Sequence, residues 1–279
     1  MSQTAERILT FILTPDGLEP TPYQVSSLPE AVPHEPQGVY TVARTFHGHC
    51  ALLFDAHLDR LEESARLTGI PLVLDRAWLR AGLRELLARA GYPDTKFRIT
   101  IPHDAPDHLY LALEPYHPVP ESIQQQGARV ITVPMVRENP VAKTTEWMTT
   151  RRPAYERLPA DAYEGILVNE DGWLLEGFSC NFYGVLDGVL RTAGDGVLAG
   201  ITRKAVLGIA PEYVPVERHA LHQRDVPRLS EAFLTSSGRG VVPITVIDGQ
   251  PVADGSVGAL AAAIRARYEE WAEANMEPI

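Results

Sequence analysis

The chain has 279 residues, 45% of them hydrophobic, and a formal charge of −11 at pH 7. That is enough apolar material for two modest domains or one large one. Its 25 Lys and Arg are scattered singly or in pairs, which excludes a basic face for a nucleic-acid backbone, so any phosphate it binds must be met by a local site.

The opening MSQTAERILTFIL lacks the basic n-region and small-residue cleavage site of a signal peptide. No stretch of about 18 apolar residues marks a membrane helix, so a cytoplasmic protein without membrane contact is expected. Residues 8–13, ILTFIL, read as a strand, and 38–46, GVYTVARTF, as a second with period-two character. The spacing of 57–70, HLDRLEESARLTGI, predicts an amphipathic helix closed by Gly69. A second helix is predicted over 76–92, with Leu79, Leu83, Leu86 and Leu87 on one face and Gly91 as its stop. Residues 96–102 and 108–116 look like paired strands joined by a turn over 103–107.

A composition break follows at 117–127, HPVPESIQQQG, rich in Pro and Gln and without apolar periodicity. It suggests a small N-terminal domain over 1–117, a linker over 118–127, and a larger strand-rich domain over 128–279. In the latter, 128–136 is a strand, and 163–177 and 181–193 are strand-turn-strand stretches built on 169–172 and on Asp187-Gly188. A helix starts near Thr202, EAFLTSS and VVPITVIDG read as strands, and 255–275 as a closing helix. The class is α+β. Cys50 and Cys180 are far apart and lack metal-ligand spacing, so reduced thiols and no metal are expected.

Four local signals could carry chemistry. Glu176, at the end of LLEG, is either a solvated turn residue or a carboxylate paired with a buried cation. In VLAGITRKAVLGIA, the Gly-Ile-Thr step opens a helix whose first amides, at Ile201 and Thr202, and whose Thr202 hydroxyl suit a phosphate; the plainer reading is an N-cap. AFLTSSGRG converges amides and hydroxyls on an anion, or makes a simple turn. The sequence has three lysines, Lys96, Lys143 and Lys204. Lys143 follows a strand and a Pro-containing turn, and in a desolvated pocket such an amine attacks aldehydes; at the surface it would be a solvated charge.

The signals occur in the order Lys143, Glu176-x-x-x-x-Asn181, Leu198-x-Gly-Ile-Thr202-Arg, then Thr-Ser236-Ser237-Gly238, then Pro-Ile-x-x-Ile-Asp-Gly. That order resembles the fold type IV enzymes dependent on pyridoxal 5′-phosphate (PLP), the class IV aminotransferase family. It includes branched-chain and D-amino acid aminotransferases, (R)-selective amine transaminases and aminodeoxychorismate lyases. GVYTVAR followed by the His-x-x-Arg-Leu helix is similar to the family's small domain.

The resemblance implies a two-domain α+β fold, with a small α/β N-terminal domain and a larger strand-rich one, and a homodimer. It implies that Lys143 forms the Schiff base and moves a proton, and that Glu176 bonds the pyridinium nitrogen. Arg60, Ile201, Thr202, Ser236 and Ser237 would hold the phosphate, Leu198 would pack on the ring, and Asn181 would support the Glu176 loop. The reaction implied is amino-group transfer from an amino acid or amine to a 2-oxo acid, with an aminodeoxychorismate lyase and a non-catalytic binding protein as alternatives.

Tyr40, Arg44, Arg98, Trp147, Gly238 and Arg239 are candidates for the substrate side. Trp147 stands where many relatives carry a Tyr; its indole donates a hydrogen bond but cannot ionise. The family's Thr-Ala-Ala-Glu stretch is replaced by Ser237-Gly238-Arg239-Gly240, and its small-domain entry by LPEAVPHEPQGVY. Arg239 is either a second carboxylate-binding cation or a surface residue, and Arg44 and Arg98 equally suit structural ion pairs.

Overall fold

Contacts divide the chain into two units. A computed structural model describes residues 8–279; the reading of the extreme N-terminus as free of a signal segment falls partly on 1–7 and so lies outside the described residues. One unit takes the chain up to His117, with Ala142–Thr150 and Asn275–Ile279; the other takes Pro118–Val141 and Arg151–Ala274.

The first unit begins with β1 (Leu9–Thr14), β2 (Gly17–Pro20), α1 (Leu28–Ala31), β3 (Gly38–Phe46) and β4 (Cys50–Leu52). The helices α2 (Phe54–Leu67) and α3 (Arg76–Ala90) and the strands β5 (Thr95–Pro102) and β6 (Leu109–Pro115) follow. With the chain's last strand, Met276–Pro278, they make a seven-stranded antiparallel sheet in which that strand, β4, β3, β5, β6, β1 and β2 are successive neighbours.

Alternation along β5 explains how the sheet is covered. Phe97, Ile99 and Ile101 enter a core with Leu58, Leu61, Leu79, Leu83 and Leu86 of the two long helices, whereas Arg98 and Thr100 turn to the opposite face. Helix α3 follows the predicted pattern. Asp75 caps it, accepting from the amides of Ala77 and Trp78, and Gly91, at φ 66°, stops it. Helix α2 starts three residues before the predicted His57, because Leu53 in a left-handed conformation, not a polar cap, turns the chain into it.

The second unit opens with α4 (Glu121–Gln126), inside the segment expected to be a linker, and β7 (Ala128–Pro134). Helix α5 (Thr145–Glu156) begins in residues of the first unit and ends in residues of the second. Next come β8 (Glu164–Val168), β9 (Trp173–Gly177), β10 (Asn181–Leu186), β11 (Val189–Arg191) and α6 (Ile201–Ile209). The remainder is β12 (Val216–Glu217), β13 (Leu221–His222), β14 (Glu231–Ser236), β15 (Gly240–Ile247), β16 (Gln250–Pro251) and α7 (Ala259–Glu273).

Pairing runs β10, β14, β15, β7, β8, β9, and β9 pairs again with β10 at Glu176 and Asn181, so the sheet closes on itself there. The β15–β7 and β7–β8 pairs are parallel; the other pairs in this ring are antiparallel. The β10–β11 hairpin turns on Asp187-Gly188, at φ 52° and 76°, the left-handed pair that a two-residue turn requires. Mixed sheets with dominant antiparallel pairing confirm the α+β class. Of the span expected to form the second domain, 142–150 and 275–279 pack in the first unit. Among the described residues, no helix is long and apolar enough to cross a membrane.

Candidate active site

In the first unit, Lys143 is pinned by its backbone. Its amide donates to Ser64 Oγ of α2 at 3.1 Å, and its carbonyl accepts from the Tyr40 amide of β3 at 2.9 Å. Thr145 Oγ1 accepts from the Gly38 amide at 2.9 Å, and Val39 bridges to Thr144. The side chain is half-buried, with Nζ 4.6 Å from the centre of the Tyr40 ring. A cation over an aromatic face, partly withdrawn from water, is an amine held ready rather than dispersed in solvent.

Helix α2 brings polar groups to the same neighbourhood. Arg60 donates to Thr41 Oγ1 at 3.2 Å, and that hydroxyl lies 2.9 Å from His57 Nδ1. Ser64 Oγ donates to the Arg60 carbonyl at 2.7 Å. His57 is buried, and burial first, then the charges of Arg60 and Lys143, hold its pKa well below 6.5. It therefore stays neutral and positions Thr41 and Arg60.

Within the second unit, Glu176 ends β9 and is 3% exposed. Its Oε2 accepts from the Leu198 amide at 3.0 Å and from Asn181 Nδ2 at 3.4 Å, and Oε1 lies 3.7 Å from Arg137 Nη1. The carboxylate is thus the buried, cation-paired alternative. Asn181 Nδ2 also donates to the Leu198 carbonyl at 2.9 Å, so one amide ties the Glu176 loop to the turn that leads into α6.

That turn delivers a phosphate-sized opportunity. Gly200 is the N-cap of α6 and has no side chain to cap the first turn. A Cβ on Gly200 would sit 2.3 Å from Asn181 Oδ1, which is why glycine occupies this position. The Thr202 hydroxyl is buried and has no hydrogen-bond partner among the described residues. A buried orphan hydroxyl at an uncapped helix start asks for an anion, and the phosphate of PLP fits that demand.

The β14–β15 turn carries Ser236, Ser237, Gly238 and Arg239, all half-buried. Here Arg239 is engaged by its own unit. Its Nη1 and Nη2 each donate to Glu164 Oε2 at 3.0 Å, Nη2 to Ser179 Oγ at 2.8 Å, and Nε to Ser236 Oγ at 3.1 Å. Arg98 likewise donates to both oxygens of Glu35, at 3.0 and 2.5 Å, and to the Leu28 carbonyl at 3.0 Å. Arg44 stacks on the rings of Phe46 and Tyr116, at 3.7 and 4.2 Å. Trp147 is buried in the first turn of α5. Cys180 is buried beside Glu164; burial first, then that carboxylate, push its thiol well up, so it is inert.

The two groups are therefore Lys143, Tyr40 and Arg60 in the first unit, and Glu176, Asn181, Leu198, Ile201 and Thr202 in the second. Sequence reading missed Thr41, His57, Ser64, Arg137, Glu164 and Arg203. A signal existed for two of these: His57 and Ser64 fall with Arg60 at i, i+7 and i+3 on one helix face. None existed for Glu164, which looks like an ordinary strand-initial residue.

Comparison with known proteins gives the family. The family model "Amino-transferase class IV" matches residues 38–247. The chain is 32% identical over 237 residues to the D-alanine aminotransferase of Bacillus licheniformis, covering 80% of this chain and 83% of that one. It is 26% identical over 270 residues to the chloroplastic D-amino-acid transaminase of Arabidopsis thaliana, covering 89% and 72%. The T.th. branched-chain amino acid aminotransferase, solved with pyridoxamine 5′-phosphate, superposes with a TM-score of 0.81 at 21% identity, covering 98% and 99% of the two chains.

The chain belongs to the class IV aminotransferases, with their fold type IV architecture. It is a PLP-dependent transaminase.

Proposed function

We propose that Lys143 is the residue that attaches PLP, that Glu176 accepts a hydrogen bond from the protonated ring nitrogen, and that the phosphate is held by Arg60, the start of α6 and the Ser236-Ser237 turn. The observation that carries this reading is the buried, partnerless Thr202 hydroxyl at the uncapped head of α6, in a segment anchored to Glu176 through Leu198. When bound, PLP supplies the electron sink that lets the substrate Cα–H bond ionise.

The chain's own residues do the rest. Lys143 Nζ would hold the cofactor covalently and, as a free amine, would take the proton from substrate Cα. Glu176, paired with Arg137 and accepting two hydrogen bonds, would keep the ring nitrogen protonated. Leu198 excludes water from the ring face, and Asn181 fixes the Glu176 loop. Of the other lysines, Lys96 pairs with Glu114 at 2.9 Å and Lys204 is exposed on α6, which supports Lys143 as the attachment point.

Amino-group transfer then runs between an α-amino acid and a 2-oxo acid in two stages. D-Alanine and branched-chain amino acids, named for relatives, are the donors to test first. Tyr40, Trp147 and Gly238 are proposed for the substrate side, and Arg239, engaged by Glu164, Ser179 and Ser236, is assigned to structure. Arg98 and Arg44, engaged by Glu35 and by two aromatic rings, are assigned to structure. The resemblance further supports a cytoplasmic homodimer.

Borohydride trapping of the PLP-loaded protein, followed by peptide mass spectrometry, tests the attachment. The pyridoxyl label is expected on Lys143; a label on Lys96 or Lys204 overturns the assignment.

A further inference from the structure

Arg203 is the third residue of α6 and is 6% exposed. Its Nη1 donates to Thr192 Oγ1 and its Nη2 to the Ala193 carbonyl, both at 2.6 Å, and the Tyr183 phenol lies close by. All three neighbours are uncharged. Tyr183 is fully buried, and desolvation pushes its phenol up to about 12, so it supplies no counter-charge.

The contrast with the other buried arginines is direct. Arg98 has Glu35, Arg137 has Glu176, and Arg239 has Glu164, whereas no carboxylate among the described residues pairs with Arg203. A buried guanidinium without an anion is costly. The location compounds it, because the first turn of a helix already carries positive potential and favours anions. The same turn holds the partnerless Thr202 hydroxyl.

Arg203 also neighbours the second candidate phosphate segment. Tyr183, close to it, accepts from Thr235 Oγ1 at 3.3 Å, and Thr235 immediately precedes Ser236-Ser237. The buried cation in the first turn of α6 therefore lies one side chain away from the end of β14.

We propose that Arg203 is a positioning residue for the phosphate end of the cofactor site, supplying the balancing charge through its field from the first turn of α6, where Thr192 and Ala193 hold it, rather than by contact. This rests on the reading that α6 receives the phosphate.

The test compares apoprotein binding of PLP, of pyridoxal, which lacks the phosphate, and of inorganic phosphate, by quenching of tryptophan fluorescence and by thermal shift. Arg203→Met removes the charge. Arg203→Gln removes it while keeping amide donors for Thr192 and Ala193, and serves if the Met variant does not fold. Arg203→Lys keeps the charge.

The expected result is a selective loss. PLP and inorganic phosphate weaken about 10- to 100-fold in the neutral variants, pyridoxal stays within about twofold, and Lys restores most of the difference. Equal weakening of PLP and pyridoxal, or no weakening of either, overturns the proposal. Thr202→Val separates the two layers. If it leaves PLP affinity unchanged, the phosphate is not at α6 and the underlying reading fails, taking this proposal with it. If it weakens PLP while Arg203→Gln does not, only the role of Arg203 fails.

Discussion

At the scale of single residues, the polar interior of each unit is organised by arginines facing carboxylates. Glu176 is the consequential one, because Arg137, Asn181 and the Leu198 amide all converge on it. Glu176→Gln leaves Arg137 facing a neutral amide in a buried setting. The substitution is expected to cost about 3 kcal/mol of stability in thermal denaturation and about 10²-fold in the rate of the amino-donor half-reaction by stopped flow. A variant of unchanged rate would remove Glu176 from the ring-nitrogen role.

His57 gives a pH prediction whose sign follows from its depressed pKa. Above about 6.5 the histidine is neutral folded and unfolded, so it adds no pH dependence. Below that value the unfolded chain takes up a proton that the folded protein refuses, and stability falls by up to about 1.4 kcal/mol per pH unit. Melting temperatures between pH 7 and 5, compared for wild type and His57→Gln, should show a shallower acid decline in the variant. Parallel curves would contradict a neutral buried histidine.

At the scale of elements, legibility followed the strength of local punctuation. Helix α3 was readable because Asp75 and Gly91 bracket a clean leucine face; β5 and β6 were readable from their alternation. The start of α2 was not, since Leu53 enters it without a polar cap. Helix α5 was missed because Pro153 and a run of threonines and arginines mask its pattern, and the last strand, because only its pairing with β4 makes it one. The head of α6 was legible as a motif, but what recommends it as the proposed site, an orphan hydroxyl and a carboxylate-free arginine, is a property of packing.

Two substitutions test these elements. Asp75→Ala should lower stability by about 1 kcal/mol through loss of two capping bonds, measured by urea denaturation with the m-value unchanged. Gly200→Ala forces a Cβ toward Asn181 Oδ1, at 2.3 Å before any shift. It should weaken PLP binding about tenfold or more while far-ultraviolet circular dichroism stays unchanged. Unaltered affinity would show that the turn before α6 has slack.

At the scale of the whole molecule, the proposed site answers the chain's acidity with positive potential gathered locally, at the start of helix α6 and at buried arginines. The family and the cofactor were legible because five short motifs fall in order over most of the chain. The division into units was less so, since 142–150 joins the first unit through hydrogen bonds to β3 and α2 and 275–279 through pairing with β4. Sequence periodicity is blind to such distant pairings. For the proposed homodimer, sedimentation equilibrium should return twice 30.7 kDa, about 61 kDa.

Transamination through Lys143 is tested most directly by the cofactor's own absorbance in a split reaction. PLP-loaded wild type, given an amino donor alone, should lose its long-wavelength band and recover it when a 2-oxo acid is added; Lys143→Ala should show neither the band nor its return. A wild-type band that fails to cycle, or a Lys143→Ala protein that cycles like wild type, would contradict that mechanism.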